Sequence, residues 1–239
     1  MIRFRPLLVP TLWFVPAVAV MIGLGFWQIE RLHQKEALIA SVAAGMRAAP
    51  VPLAEVLRDG AAKAEWHHVT VDGHFVHDKE AYLFARGPMG AVGLQVVTPL
   101  VQADGKTVLV NRGFVPPTLK DPGARSAGQV TGEVALNGVL RLSQEPGMFT
   151  PPADAKEHLW FVKNVPGLAA AMDVTVEAPV IIEADATPNP GGWPLGGQTV
   201  IDFPNDHLQY ALTWFGLALT LVGVYLVYHH SHGRLAFGR

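Results

Sequence analysis

The residue with the most specific chemical potential is His207. It stands in Pro204-Asn205-Asp206-His207-Leu208-Gln209-Tyr210-Ala211-Leu212-Thr213-Trp214-Phe215, at the head of an apolar run that lasts to Tyr228. On a helix, Tyr210 and Trp214 follow His207 by one and two turns and share its face. An imidazole flanked by aromatic rings at membrane depth is able to ligate a metal or a haem iron. The competing reading is an interfacial histidine that faces water or caps the helix, because polar groups at a membrane edge cost little.

A second group of histidines, His67, His68, His74 and His77, falls in a stretch with strand character. On a strand, His68 and His74 share one face and His67 and His77 the other, and no Asp or Glu completes a ligand set. Exposed strand residues are therefore expected there rather than a metal site. His229, His230 and His232 fall in the C-terminal tail and are expected at an interface. The chain has no cysteine, which excludes disulfides, thiol catalysis, cysteine-ligated zinc or iron–sulfur clusters, and c-type haem attachment. G-x-S-x-G, H-E-x-x-H and P-loop motifs are absent and no acid/base pair stands out, so nothing favours an enzyme. With 18 basic and 20 acidic residues there is no basic excess to suit nucleic acid.

The elements that must position His207 are two apolar segments. The second, Leu208–Tyr228, carries no charge over 21 residues. At 1.5 Å per residue that is enough to cross a hydrocarbon core of about 30 Å. Asn205 or Asp206 is placed to cap its first turn. Tyr210 and Trp214 near one end, with Tyr225 and Tyr228 near the other, suit interfacial belts. The first segment, Leu7–Ile29, is interrupted only by Thr11 and Gln28 apart from its prolines. It lacks a small-x-small cleavage site and is expected to be a retained membrane helix. Gly23 and Gly25 would let a second helix approach closely. Helical patterning continues through Leu32–Met46 until Pro50 and Pro52.

Between the spans lie about 175 residues, enough for one domain with its own core. Strand patterns occur at His67–Val76, Glu80–Arg86, Gly93–Val101, Thr107–Val115, Gln129–Leu142, Trp160–Lys163 and Val180–Glu183. Asp72-Gly73 predicts a bulge or turn and Asp104-Gly105 a hairpin turn. Leu53–Arg58 and Val165–Met172 predict short helices, and Thr187–Gly197 an irregular loop. The expected fold is an α+β membrane protein: two transmembrane helices flanking a mostly antiparallel, β-rich sandwich or open barrel. Residues 1–30 form the first transmembrane helix, 31–203 the β-rich domain, 204–228 the second transmembrane helix and 229–239 a tail. No Lys or Arg lies between Lys163 and the second span, whereas Arg234 and Arg239 follow it. This places both termini in the cytoplasm and the domain in the periplasm of a bacterial inner membrane.

Several segments together resemble the Surfeit-one family of membrane proteins. They are Leu24-Gly25-Phe26-Trp27-Gln28 with Arg31 and Lys35, then Gly73-x-Phe75, then Gly93-x-x-Val96-x-Thr98-Pro99-Leu100. Next come Val108-Leu109-Val110-Asn111-Arg112-Gly113-Phe114-Val115-Pro116 and finally Pro204-Asn205-x-His207-Leu208-x-Tyr210-Ala211-x-Thr213-Trp214. Each motif alone is weak, but they run in family order over nearly the whole chain. Phe114 departs mildly from the pattern, where the family often has Trp.

The resemblance implies a non-catalytic assembly factor for cytochrome c oxidase, one that binds haem a transiently and aids its placement in subunit I. Its implied partners are that subunit, haem a synthase and the lipid bilayer. The family's haem-associated histidine maps onto His207, the implied iron ligand. Trp27, Tyr210 and Trp214 are suited to wall an apolar slot, and Arg31 either pairs with a propionate or simply anchors the interface. Arg112 is expected to be structural, near a strand end. The alternative is a protein-interaction scaffold that stabilises oxidase assembly intermediates without carrying haem.

Overall fold

The computed structural model describes residues 2–154, 156–199 and 203–237. In chain order the elements are β1 (Ile2–Phe4), α1 (Leu8–Arg47), β2 (Val51–Pro52), α2 (Leu53–Arg58), β3 (His68–Phe75), β4 (Ala81–Arg86) and β5 (Val92–Val101). There follow β6 (Thr107–Val115), β7 (Glu133–Leu142), β8 (Leu159–Trp160), α3 (Val165–Ala171), β9 (Val176–Ala184), α4 (His207–Ser231) and β10 (Leu235–Phe237). They divide into two compact units, residues 1–41 with 202–239, and residues 42–201. Arg239, on which part of the orientation argument rests, lies outside the described residues.

The first unit is a helix pair. Both α1 and α4 are long and apolar enough to cross a membrane. At 40 residues α1 extends about 60 Å, twice what a span requires, and runs past the expected span to Arg47, three residues short of Pro50. The two helices are antiparallel: Gln28 meets His207, Phe26 packs edge-on against Phe215 and Phe14 stacks on Tyr225. Along α4 the inward positions His207, Ala211, Trp214, Phe215, Ala218, Leu221, Val222, Tyr225 and His229 recur every three to four residues, and Ala211 and Ala218 are fully or nearly fully buried. Small residues in that stripe let the backbones approach, as membrane helix pairs require. Gly25 serves the same purpose on α1, because an added Cβ would lie 2.4 Å from the Phe215 ring. Gly23 does not, since a Cβ there would meet nothing within 4 Å.

At the other end, β1 and β10 pair antiparallel and close the tails into a two-stranded sheet. Beneath it His229 is fully buried. Its Nε2 accepts the Leu7 N–H at 3.1 Å, and its Nδ1–H donates to the Tyr225 carbonyl at 2.9 Å. His229 is thus an internal pin of the helix pair rather than the exposed interface residue expected. Tyr225 likewise departs from the belt expected of it: its hydroxyl bonds the Thr11 hydroxyl at 2.6 Å and its ring lies between the helices.

The second unit is a barrel-like β-domain. The sheet order is β2-β3-β7-β9-β6-β5-β4-β8, and a further pairing of β3 with β5 closes β3, β7, β9, β6 and β5 into a ring. Most pairs are antiparallel as expected, but β6–β9, β2–β3 and β4–β8 are parallel. Every residue of β6 is buried, because both its faces are covered. Val108 and Val110 point into the ring with Val69, Val71, Leu140 and Ile182. Leu109 points outward beneath α3, against Val165, Leu168 and Met172. The predicted bulge at Asp72-Gly73 is absent, since both pair regularly with β7. Gly73 is instead a close-approach residue at the ring closure, where an added Cβ would lie 2.4 Å from the Val101 carbonyl oxygen. The strand expected from Gln129 starts only at Glu133, because Gly132 takes φ +87° and the Val130 carbonyl is used by His77. The strand expected over Trp160–Lys163 is only Leu159–Trp160, whereas β9 extends beyond Val180–Glu183 at both ends.

The packing at Gly25 yields a paired prediction. Gly25→Leu should destabilise the helix pair by about 1–3 kcal/mol through overpacking, whereas Gly23→Leu should change little. Thermal unfolding of the two variants in detergent, followed by tertiary fluorescence, checks the difference.

Candidate functional site

His207 opens α4, and its ring is half-buried against α1. Its Nδ1–H donates to the Gln28 side-chain Oε1 at 2.7 Å, a bond that crosses from one helix to the other. Gln28 is only 9% exposed, so its amide needs this partner. The expected cap is not formed: Asp206 occupies the N-cap position without a side-chain hydrogen bond to the helix, and Asn205 Oδ1 is buried without a partner among the described residues. Helix capping therefore does not account for His207 or its neighbours.

The other predicted site residues divide by burial. Trp214 is half-buried, while Tyr210 and Trp27 are 56% and 53% exposed, outward into what would be lipid. Trp27 adjoins Gln28 in sequence, and Tyr210 lies one turn beyond His207, so both fall close to the level of the cross-helix bond. Arg31 is exposed and donates to Gln34 Oε1 at 2.9 Å, and Gln34 in turn bonds Glu30. Lys35, one turn on, places its ammonium 5.1 Å from the Phe203 ring centre. These residues provide one imidazole whose Nε2 has no hydrogen-bond partner among the described residues, aromatic surface at membrane depth and cations at the membrane edge. That donor set fits a large apolar macrocycle with one axial ligand and acidic side groups. An apolar groove of about 350 Å³ lies at the far end of the pair, between Pro10, Trp13, Phe14 and Val224, and is not lined by His207.

Gln28 was not singled out by sequence reasoning, although a signal was present. The first span has two polar interruptions, Thr11 and Gln28, and each bonds a side chain of the second span.

The SURF1 family model matches residues 15–219, from within α1 to within α4. The chain belongs to the SURF1 family. It is 38% identical to Surfeit locus protein 1 of Rattus norvegicus over 86% of this chain and 70% of the relative. To the SURF1-like protein of Monosiga brevicollis it is 37% identical, over 92% of this chain and 88% of the relative. Surfeit locus protein 1 of Homo sapiens is 35% identical over 87% and 72%. The SURF1 match covers most of α1, the first half of α4 and the whole β-domain, so the Gln28–His207 bond and the domain core fall within it.

Inside the β-domain of this SURF1-family chain is a buried ion cluster. Glu80 Oε2 accepts from Arg125 Nη2 at 2.6 Å, and Oε1 accepts from Arg112 at 3.5 Å, Gln129 at 3.3 Å and Thr98 at 3.4 Å. Arg112 also donates to the Gly128 carbonyl and lies 4.6 Å from the Phe75 ring centre. Burial lowers the Arg112 guanidinium to about 10, opposed by the Glu80 charge. Burial raises the Tyr82 phenol above its ordinary value, so it stays a donor, to the Lys120 carbonyl at 2.8 Å. Both guanidinium groups and the carboxylate are engaged with a neighbouring strand or turn, so Arg112 is structural, as expected. Of the β-domain histidines, His67 bonds the Ala64 carbonyl, His68 the Ala48 carbonyl and His77 the Val130 carbonyl. Among the described residues no group of His, Asp and Glu is arranged to hold a metal.

Removing the carboxylate leaves two guanidinium ions buried without a counter-charge. Glu80→Gln should therefore cost about 3–5 kcal/mol, while His68→Ala and His74→Ala should stay within about 0.5 kcal/mol. Urea unfolding of the full-length variants in detergent checks both.

Proposed function

We propose that this chain is a membrane-embedded, non-catalytic assembly factor for cytochrome c oxidase that binds haem a and aids its insertion into subunit I. The observation that carries the reading is His207: a half-buried imidazole at the head of a membrane-length helix, with Nδ1 committed to Gln28 and Nε2 without a partner among the described residues. Bound there, haem a would supply the iron that needs a ligand and the greasy ring that needs an apolar surface. His207 Nε2 ligates, and a single neutral imidazole holds iron while remaining displaceable, which suits a carrier more than a permanent holder. Trp27, Tyr210 and Trp214 would offer aromatic surface to the ring, and Arg31 would offer a guanidinium to a propionate. Haem a synthase and subunit I are the partners from which such a cargo would come and to which it would go.

In this reading both termini are cytoplasmic and the β-domain is periplasmic, in a bacterial inner membrane, with His207 at the outer surface. Arg234, following α4, supports it. One observation favours a contact role for the β-domain alongside haem carriage. Met148 and Phe149, in a proline-flanked loop, are 92% and 93% exposed. An apolar pair displayed on a loop suits protein contacts.

If His207 ligates iron, His207→Ala should lose most of its haem a when purified from haem a-producing cells, while the helix still inserts. His207→Met should keep haem with a shifted optical spectrum, because a thioether also ligates. Wild-type occupancy and an unshifted spectrum in both would remove His207 as the ligand. A reporter active only outside the cytoplasm, fused after Gly128, should be active, and cytoplasmic activity would invert the topology.

A further inference from the structure

The bond between α1 and α4 does more than join two helices. Gln28 Oε1 can only accept, so His207 Nδ1 carries a proton, and whenever the ring is neutral its lone pair is on Nε2. At 2.7 Å this bond also stops the ring from turning about its χ2 axis. With Nδ1 committed in this way, Nε2 is the ring nitrogen left to act as a ligand. An acceptor on the opposite nitrogen makes the ring more electron-donating and holds its orientation, the usual task of a partner behind a ligating histidine. Gln28 is placed to do this because the turn before it carries Gly25, which brings α1 close to α4 at Phe215.

We propose that Gln28 is the positioning residue of the His207 site: it fixes the imidazole as the Nδ1–H tautomer and orients Nε2 for iron. This rests on the reading of His207 as the ligand. Because Gln28 and His207 belong to different helices, the strength of the ligand is tied to the packing of the pair.

Two substitutions separate the roles open to the amide. Gln28→Glu keeps an acceptor and removes the donor, whereas Gln28→Met keeps the approximate shape and removes both. In haem-free protein in detergent, ¹⁵N spectra of labelled histidine, with His207→Ala to assign the signal, should show Nδ1 protonated in wild type and in Gln28→Glu. Gln28→Met should show mixed tautomers. In haem a-loaded protein, transfer to apomyoglobin should be about 10–100-fold faster for Gln28→Met and no faster than wild type for Gln28→Glu. The midpoint potential should fall in Gln28→Glu, since a carboxylate behind the ring makes a stronger donor. A thermal melt matching wild type confirms that the pair is folded. Wild-type release from Gln28→Met, an Nε2-protonated ring in the wild type, or equal damage from both substitutions would overturn the proposal. Retention of wild-type haem by His207→Ala would instead overturn the ligand reading itself.

Discussion

Two membrane-length helices in contact must satisfy among themselves every polar group they bury, because hydrocarbon offers no partner. That constraint organises the first unit. The polar interruptions of α1 and the buried ring of α4 become cross-helix bonds: Gln28 with His207, Thr11 with Tyr225, the Leu7 N–H with His229. Between them the contact is made by Gly25, Ala211 and Ala218, small enough to let the backbones close. Close approach and polar pairing depend on each other, since neither the Gln28 nor the His229 bond survives if the helices separate.

The same constraint gives His207 its chemistry. A histidine at the membrane edge can face water at little cost, yet this one is turned toward α1 and held by an amide. Its Nδ1 is thereby spent and Nε2 is not. Tyr210 and Trp27 are not buried in the pair; they face outward, where an apolar ligand arriving through the bilayer would meet them, while Trp214 is half-buried. The β-domain obeys a parallel rule with different means: its buried carboxylate, Glu80, is satisfied by two guanidinium groups drawn from a strand and a turn.

Local order was legible in the sequence wherever one residue's neighbours sufficed. The two spans follow from unbroken apolar runs, most strands from alternation, and the Asp104-Gly105 turn from its dipeptide. Long-range pairing was not. Nothing local in β3 shows that His74 and Phe75 also pair with β5 and so close the ring, so Gly73 resembled a bulge. Nothing local in Glu80 shows burial, because an acid at a strand start usually faces water. His207 was visible by its position, but its partner lies 179 residues away, marked only by a polar residue in an apolar run. His229 was misplaced for the same reason: the cover over it comes from the opposite end of the chain.

The central claim is that the His207 imidazole supplies the bond to iron while the helix pair supplies the apolar surface. Replacing the side chain with glycine and returning it as free imidazole separates the two. His207→Gly, purified from haem a-producing cells, should contain little haem, or haem with an altered spectrum. Added imidazole should restore the wild-type spectrum and slow haem loss, while a thermal melt shows the pair intact. Wild-type haem content and spectrum without imidazole would contradict the account.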